Sequence, residues 1–158
     1  MTPSFLYINP DKWDKYFIKM TNLISSLSKD LNTQVGCVII GPDHEVRSTG
    51  YNSFPRGIND LDRTRQERPK KYFFFEHAER NAIYNAARVG VPLAGCTLYV
   101  PWHPCSDCAR AIIQAGIRVV ITETIAFPEH WTENCLAANE MFLESGVTIC
   151  SIDEKLKD

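Results

Sequence analysis

Two short segments of the chain contain residues of the kinds that bind metals and move protons. His77 lies two residues before Glu79, and Cys105 lies three residues before Cys108. The cysteine pair opens a predicted helix, so both sulfurs would lie on one face at the positive end of the helix dipole, which favours thiolates. Two thiolates and one imidazole make three ligands for zinc. They leave the fourth tetrahedral position for water, as in catalytic zinc sites.

Glu79 is placed to act on that water rather than on the metal. Zinc lowers the pKa of bound water toward about 7, and such a water needs a nearby group that takes its proton. A carboxylate two residues from a ligand can reach the water without coordinating the ion. His-x-Glu followed by Pro-Cys-x-x-Cys is the signature of zinc nucleobase deaminases, and both halves occur here in that order. We therefore predict a hydrolytic deaminase in which Glu79 transfers protons.

Other interpretations of the histidines and cysteines are weaker. A thioredoxin-like redox pair needs no upstream His-x-Glu. A structural zinc site needs a fourth ligand, and His103 would have to fold back from two residues before Cys105, so we expect it beside the site. His44 and His130 lie in polar turns and receive no role. The other cysteines are expected to be core thiols: Cys37, Cys96, Cys135 and Cys150.

Length and charge limit the possible classes of protein. The 158 residues predict one domain, 1–158. The 17 Lys and Arg against 19 Asp and Glu give a net charge of −2, which disfavours binding of a long nucleic acid. The chain shows neither an apolar signal segment nor a run long enough for a membrane. We therefore expect a cytoplasmic protein with reduced cysteines and no membrane contact.

Hydrophobic periodicity predicts alternating helices and strands that would position the two halves of the signature. The first two strands flank a Gly-Pro-Asp turn and should form a hairpin, whereas the last two are joined by a helix and should be parallel. We predict a three-layer α/β/α fold around a five-stranded mixed sheet. The predicted helices are 11–28, 78–88, 105–115 and 133–143, and the predicted strands are 34–40, 46–51, 96–100, 117–121 and 147–152.

The segment 52–75 has no sustained period. Structureless segments of this length are usually functional or mobile. Several of its arginines and lysines lie within 63–71. This local basic cluster suits the phosphate of a mononucleotide better than a long polyanion.

Beyond the metal-binding signature, the sequence resembles the deoxycytidylate (dCMP) deaminase family of the cytidine-deaminase-like zinc superfamily. The zinc motif alone would fit any member of that superfamily. The Gly-Tyr-Asn segment at 50–52 and the Ile-Ile-Gln-Ala-Gly-Ile run at 112–117 favour the dCMP deaminases. The likeness extends from 28 to 147 and also includes Ser28-Lys29-Asp30, Gln34-Val35-Gly36 and Asn81-Ala82-Ile83.

The resemblance implies a role for each matching position. His77, Cys105 and Cys108 would bind Zn²⁺. Glu79 would carry protons while dCMP is converted to dUMP, a precursor of thymidylate. The substrate would be held by Asn52 at the sugar, by the backbone N–H of Ala78 at the pyrimidine carbonyl, and by the loop with Ser28 and Lys29 near the phosphate.

The resemblance also implies an oligomer and effectors. Members of the family are typically homo-hexamers that dCTP activates and that dTTP inhibits together with Mg²⁺. The effector site would include Gly50, Tyr51, Pro55, Arg56 and Gly57.

The chain departs from the family pattern at three places. Ser53 stands where the family usually has glycine, residues 127–131 replace a Tyr-His pair, and the insert around 67–72 differs. Three alternatives to a dCMP deaminase therefore stay open. They are a deaminase that accepts dCTP or another cytosine nucleotide, a tRNA adenosine deaminase, and a non-catalytic zinc protein that binds deoxynucleotides. The net charge disfavours the tRNA enzyme, and the presence of Glu79 disfavours the pure binder.

Overall fold

The architecture is a single mixed sheet, seen in a computed structural model that describes residues 6–124 and 126–152. The strands of the sheet are β1 (Leu6–Tyr7), β2 (Gly36–Ile40), β3 (Val46–Tyr51), β4 (Thr97–Val100), β5 (Val119–Thr122) and β6 (Thr148–Ser151). Across the sheet they lie in the order β1-β6-β5-β4-β2-β3. β2 is antiparallel to both of its neighbours, β3 and β4. The other pairs are parallel, so the predicted hairpin and the parallel last two strands are confirmed.

The predicted strand count is one too low. The missing strand, β1, is a two-residue edge strand in which Leu6 pairs with Cys150 and Tyr7 with Ser151. Both of its residues are exposed. A strand this short has no alternation that a sequence pattern could show, because only its pairing with β6 defines it.

Helices cover both faces of the sheet and create two cores. Alternate residues of β2 point to opposite faces: Cys37 and Ile39 join one core, while Val38 and Ile40 join the other. α1 packs on the second core, and α3, α4 and α5 pack on the first, which confirms the three layers. The helices are α1 (Lys12–Ser25), α2 (Lys71–Phe74), α3 (Ala78–Val89), α4 (Ser106–Gln114) and α5 (Thr132–Ser145).

The four long helices begin and end within a few residues of their predicted limits. α1 starts at a capping box in which the Asp11 carboxylate accepts the Asp14 N–H and the Asp14 carboxylate accepts the Asp11 N–H. α3 and α5 each end at a left-handed glycine, Gly90 and Gly146. Among the described residues, no helix has both the length and the apolar character that a membrane crossing requires.

Gly50 lets α3 lie close to the sheet. A side chain at this position would overlap the backbone of Ala78 and Ala82, because β3 and α3 are almost in backbone contact there. The Ser48 hydroxyl donates a hydrogen bond of 2.6 Å to the Ala82 carbonyl and secures the same contact. The start of α3, which carries half of the signature, is therefore fixed against β3.

Candidate active site

The structure brings the two halves of the signature together. His77 precedes the first residue of α3, Cys105 precedes the first residue of α4, and Cys108 lies in the first turn of α4. The Nδ1 atom of His77 lies 3.5 Å from the Sγ of Cys105 and 3.6 Å from the Sγ of Cys108. All three ligand atoms lie within 4.8 Å of one another. Two soft sulfurs and one imidazole in such a cluster fit a zinc ion.

The pKa values of the two cysteines in this cluster are shifted in opposite directions. A hydrogen bond from Cys108 lowers the pKa of Cys105 to about 3, and a second one from His77 acts in the same direction. Burial raises the pKa of the Cys108 thiol well above its ordinary value. For His77, burial acts to lower the imidazole pKa, but the hydrogen bond with Cys105 and the charges of Glu79 and Cys105 together outweigh burial and raise the pKa. A metal that binds both sulfurs must therefore displace a proton from Cys108.

Arg80 lies against the same sulfurs, and the sequence reasoning missed it. Its Nη1 atom is 3.5 Å from the Sγ of Cys108 and 3.9 Å from the Sγ of Cys105. Its Nε donates to the carboxylate of Glu76, which orients the guanidinium. The available signal was its position three residues after His77, on the same side of α3.

Glu79 occupies the first turn of α3 and is only 5% exposed. Burial raises the pKa of this carboxyl above its ordinary value, because the charged form loses hydration. Ala78 is the first residue of α3, so the helix does not use its backbone N–H. A buried carboxyl and an unused N–H thus lie next to the metal ligand His77.

These residues line a cleft of about 620 Å³, a size that suits a nucleotide-sized ligand. The Trp131 ring lies 6.2 Å from the His77 ring and 6.3 Å from the Tyr72 ring, measured between centroids. His130 also lines the cleft, although we expected no role for it. Further aromatic side chains complete the wall: Phe75, Trp102 and Phe127.

His103 is a neighbour of the metal cluster, as expected, and is not part of it. Its ring nitrogens lie 2.8 Å from the carbonyl oxygen of Pro104 and 2.9 Å from Oδ1 of Asn139. Burial lowers the pKa of this imidazole. The four remaining cysteines are buried and free, as predicted, and Cys135 also lines the cleft.

Asn52 lines the cleft, but its amide group is used within the protein. Its Oδ1 accepts hydrogen bonds from the Val35 N–H at 2.8 Å and the Ser28 hydroxyl at 2.7 Å. Its Nδ2 donates to the Thr33 carbonyl at 2.7 Å and to the carboxylate of Asp30 at 3.3 Å. Asn52 therefore organises the loop 28–35, and its contact with a sugar stays a prediction.

In the loop expected near the phosphate, the side chains of Ser28 and Lys29 have partners within the protein, and their contact with a phosphate stays a prediction. The Ser28 hydroxyl is engaged with Asn52, and Lys29 forms an ion pair of 2.6 Å with Asp60. Neither side chain lines the cleft. The cations that do line it on this side are Arg68 and Lys71, from the basic segment whose role the sequence left open.

The predicted effector residues lie outside the cleft. Arg56 donates a hydrogen bond of 2.7 Å to Oδ1 of Asn85, which belongs to α3. Gly57 adopts a positive φ of 80°, a conformation that favours glycine. Gly50, Tyr51 and Pro55 precede this turn along the same stretch of chain, and an effector site there stays a prediction.

The comparisons with known proteins agree with this geometry. Residues 11–124 match the model of the cytidine and deoxycytidylate deaminase zinc-binding region. Human deoxycytidylate deaminase is 37% identical over 142 residues, which span 87% of this chain and 78% of the human one. An uncharacterised deaminase of Aliivibrio fischeri is 41% identical over 140 residues, which span 87% of this chain and 92% of the relative.

The fold is shared with a solved deaminase. The dCMP deaminase of cyanophage S-TIM5, crystallised with dCMP and dUMP, has a TM-score of 0.72 and 23% identity over 92% of this chain and 99% of its own. The matched zinc-binding region and the relatives at 37% and 41% identity lead to one assignment. The chain belongs to the cytidine and deoxycytidylate deaminase zinc-binding family.

Proposed function

We propose that this protein is a zinc-dependent deaminase that hydrolyses dCMP to dUMP and ammonia. The observation that carries the proposal is the buried carboxyl of Glu79, which lines a cleft of nucleotide size together with His77 and Cys105 of the His77, Cys105 and Cys108 cluster. Relatives named deoxycytidylate deaminase, and a similar fold crystallised with dCMP and dUMP, support this choice of substrate.

His77, Cys105 and Cys108 would hold the zinc ion, which would supply a water molecule activated at neutral pH. Glu79 would accept a proton from this water as the water oxygen bonds to C4 of cytosine, and would deliver that proton to N3. It would then move the proton of the hydroxyl group on C4 to the amino nitrogen, so that the C4–N bond breaks, ammonia leaves and the C4 carbonyl of dUMP forms. Burial raises the pKa of Glu79 toward the working pH, which suits a group that must both accept and donate protons.

Other parts of the chain hold the base in place. The N–H of Ala78 donates to the pyrimidine carbonyl at the start of α3. The Trp131 ring stands beside His77 and forms an apolar wall for the flat base. Asn52 keeps the loop 28–35 folded against the end of β3, and so shapes the cleft where the sugar would lie.

The direct test replaces Glu79 by glutamine. We expect Glu79→Gln to retain one zinc per chain and to lose turnover of dCMP by about 10²- to 10⁴-fold, the usual contribution of a general acid and base. Glu144→Gln, on the exposed side of α5, removes the same charge far from the cleft and should keep full activity. An E79Q variant with wild-type ammonia release would contradict the assignment.

A substrate panel separates the alternatives. Ammonia release is measured from dCMP, dCTP, CMP, deoxycytidine and a tRNA anticodon stem. We expect dCMP to be preferred. A preference for dCTP or for the anticodon stem would replace the proposed substrate, and no release from any of them would favour a nucleotide-binding zinc protein.

We propose further that the active form is a homo-hexamer controlled by dCTP and by dTTP with Mg²⁺. The resemblance of the Gly50-Tyr51-Asn52 segment to the family supports this proposal. Light scattering gives the oligomer size, and dCMP turnover is compared with and without each effector. A monomer whose rate no effector changes would contradict it.

A further inference from the structure

The 52–75 segment forms one side of the cleft. Arg68, Lys71 and Tyr72 line the cleft together with Glu79. Arg68 and Lys71 also line a smaller cavity of about 510 Å³ that contains none of the metal ligands. The segment thus lies where the two cavities meet, away from the reacting end, and a substrate whose base reaches Glu79 would extend its other end toward it.

The Lys and Arg side chains that line the cleft differ in whether a carboxylate forms an ion pair with them. Lys71 forms a buried ion pair of 2.5 Å with Asp30. Arg80 is held by Glu76 and faces the two metal-binding sulfurs. Arg68 is exposed and forms no ion pair with any described residue; its guanidinium carbon lies 5.6 Å from the centre of the Tyr72 ring. Among these three cations, Arg68 is the one whose charge is open to a ligand.

Contacts on both sides of Arg68 hold the 52–75 segment in place and keep the exposed Arg68 side chain at the cleft. Lys71, three residues after Arg68, is fixed by Asp30, and the backbone N–H of Lys71 donates to the Glu67 carbonyl at 2.8 Å. The Gln66 amide donates to the Lys29 carbonyl at 2.9 Å. Arg68 therefore sits between two tethered positions, which lowers the entropy lost when its side chain binds an anion.

A guanidinium binds phosphate through paired hydrogen bonds that a lysine cannot reproduce. We propose that Arg68 binds the 5′-phosphate of the substrate and makes the cleft selective for nucleoside 5′-monophosphates over nucleosides. This inference rests on the proposed function and assigns the phosphate to the 52–75 segment rather than to the loop with Ser28 and Lys29.

The test compares Arg68→Gln with the matched control Arg63→Gln, which removes the same charge from the same segment outside the cleft. For each protein, kcat/KM is measured with dCMP and with deoxycytidine. We expect the ratio of the two values to fall about 10- to 100-fold in R68Q, mainly through the KM for dCMP, since the charge-assisted contact between the guanidinium and the phosphate is lost. R63Q should keep the wild-type ratio, and Arg68→Lys should restore part of it.

An R68Q ratio equal to that of R63Q would overturn the inference, and so would an equal loss with both substrates, which would indicate a structural defect. A binding measurement separates this failure from failure of the proposed function. Calorimetry with zinc-loaded protein compares dUMP with deoxyuridine. If the wild type releases no ammonia from dCMP, the proposed function fails, whereas weaker binding of dUMP by R68Q than by R63Q would still support the phosphate assignment.

Discussion

At the scale of single residues, Arg80 is the contact that most changes the picture of the metal centre. Its guanidinium donates toward both cysteine sulfurs while Glu76 holds it from the other side. Hydrogen bonds and positive charge stabilise thiolates, the form in which cysteine binds zinc. We therefore expect Arg80 to position the two cysteine side chains and to favour their thiolate form.

Replacing Arg80 by methionine should weaken zinc binding about 10- to 100-fold, the range usual for groups that support metal ligands. Competition with a chromophoric chelator measures the affinity. Arg110→Met is the matched control, because Arg110 lies on α4, is exposed and forms an ion pair with Asp107. The cobalt-substituted protein adds a second readout, since the sulfur-to-cobalt absorption band should shift in R80M. Equal zinc affinities for R80M and R110M would refute this role.

Glu79 should make the metal-free protein less stable at neutral pH. Burial raises the pKa of its carboxyl in the folded state above the ordinary value near 4.5. At any pH at which this carboxyl is ionised in the unfolded chain, the raised pKa therefore lowers the free energy of unfolding. In the presence of a chelator, Glu79→Gln should therefore unfold at higher urea than the wild type at pH 7. The difference should shrink as the pH falls through the raised pKa and disappear below pH 4.5. A wild type that is more stable than E79Q at pH 7 would contradict this.

At the scale of elements, the buried ion pair between Lys71 and Asp30 holds the 52–75 segment against the loop 28–35. Lys71 is 8% and Asp30 is 3% exposed. Asp30 also accepts the backbone N–H groups of Asn32 and Thr33. The pair thus joins two irregular segments that share no regular secondary structure, and it fixes the side of the cleft that carries Arg68.

Lys71→Met should destabilise the protein by about 3–5 kcal/mol, because it leaves the charge of Asp30 buried without a partner. Urea unfolding of the zinc-loaded protein measures the loss. Lys70→Met is the control, since Lys70 is exposed and lies 3.8 Å from Asp62, and it should change stability by less than about 1 kcal/mol. The double variant Asp30→Asn with Lys71→Met should recover part of the loss. Equal free energies of unfolding for K71M and K70M would show that the ion pair between Lys71 and Asp30 does not stabilise the fold.

At the scale of the whole molecule, the metal site joins two helices that lie far apart in sequence. His77 belongs to the start of α3, and Cys105 and Cys108 belong to the start of α4. Both helices pack on the same face of the sheet. A ligand that binds the folded state alone stabilises it by mass action, so zinc should act as a link between them.

Removal of zinc should therefore lower the melting temperature by about 5–10 °C, as expected for a few kcal/mol in a chain of this size. Adding zinc back should restore it. Cys108→Ala should abolish the response to zinc, whereas Cys96→Ala, at another buried cysteine, should lower the melting temperature but keep the response. If zinc raised the melting temperature of C108A as much as that of C96A, Cys108 would not be a zinc ligand.

Much of the fold and the metal site could be predicted because their signals are local. The apolar period of α1 and the β-branched run at 119–121 each reflect a single element. His77 with Glu79, and Cys105 with Cys108, are pairs within one helical turn, so the spacing along the chain already fixes their relative placement. β1 was missed because a strand of two residues shows no period. Arg80 was missed because its role depends on its contacts with the cysteine sulfurs at the start of α4, which the spacing along the chain does not show.

The arrangement of the cleft depends on contacts between segments that the chain separates widely. The sequence by itself predicted the three-layer fold and the candidate site residues His77, Glu79, Cys105 and Cys108, since the hydrophobic period and the spacing within each motif are local signals. Only the tertiary structure decided that Asn52 binds the loop 28–35, that Lys29 pairs with Asp60, and that Arg68 and Lys71 reach the cleft. The 52–75 segment has little regular secondary structure, so long-range ion pairs and hydrogen bonds, which no local pattern encodes, set its position.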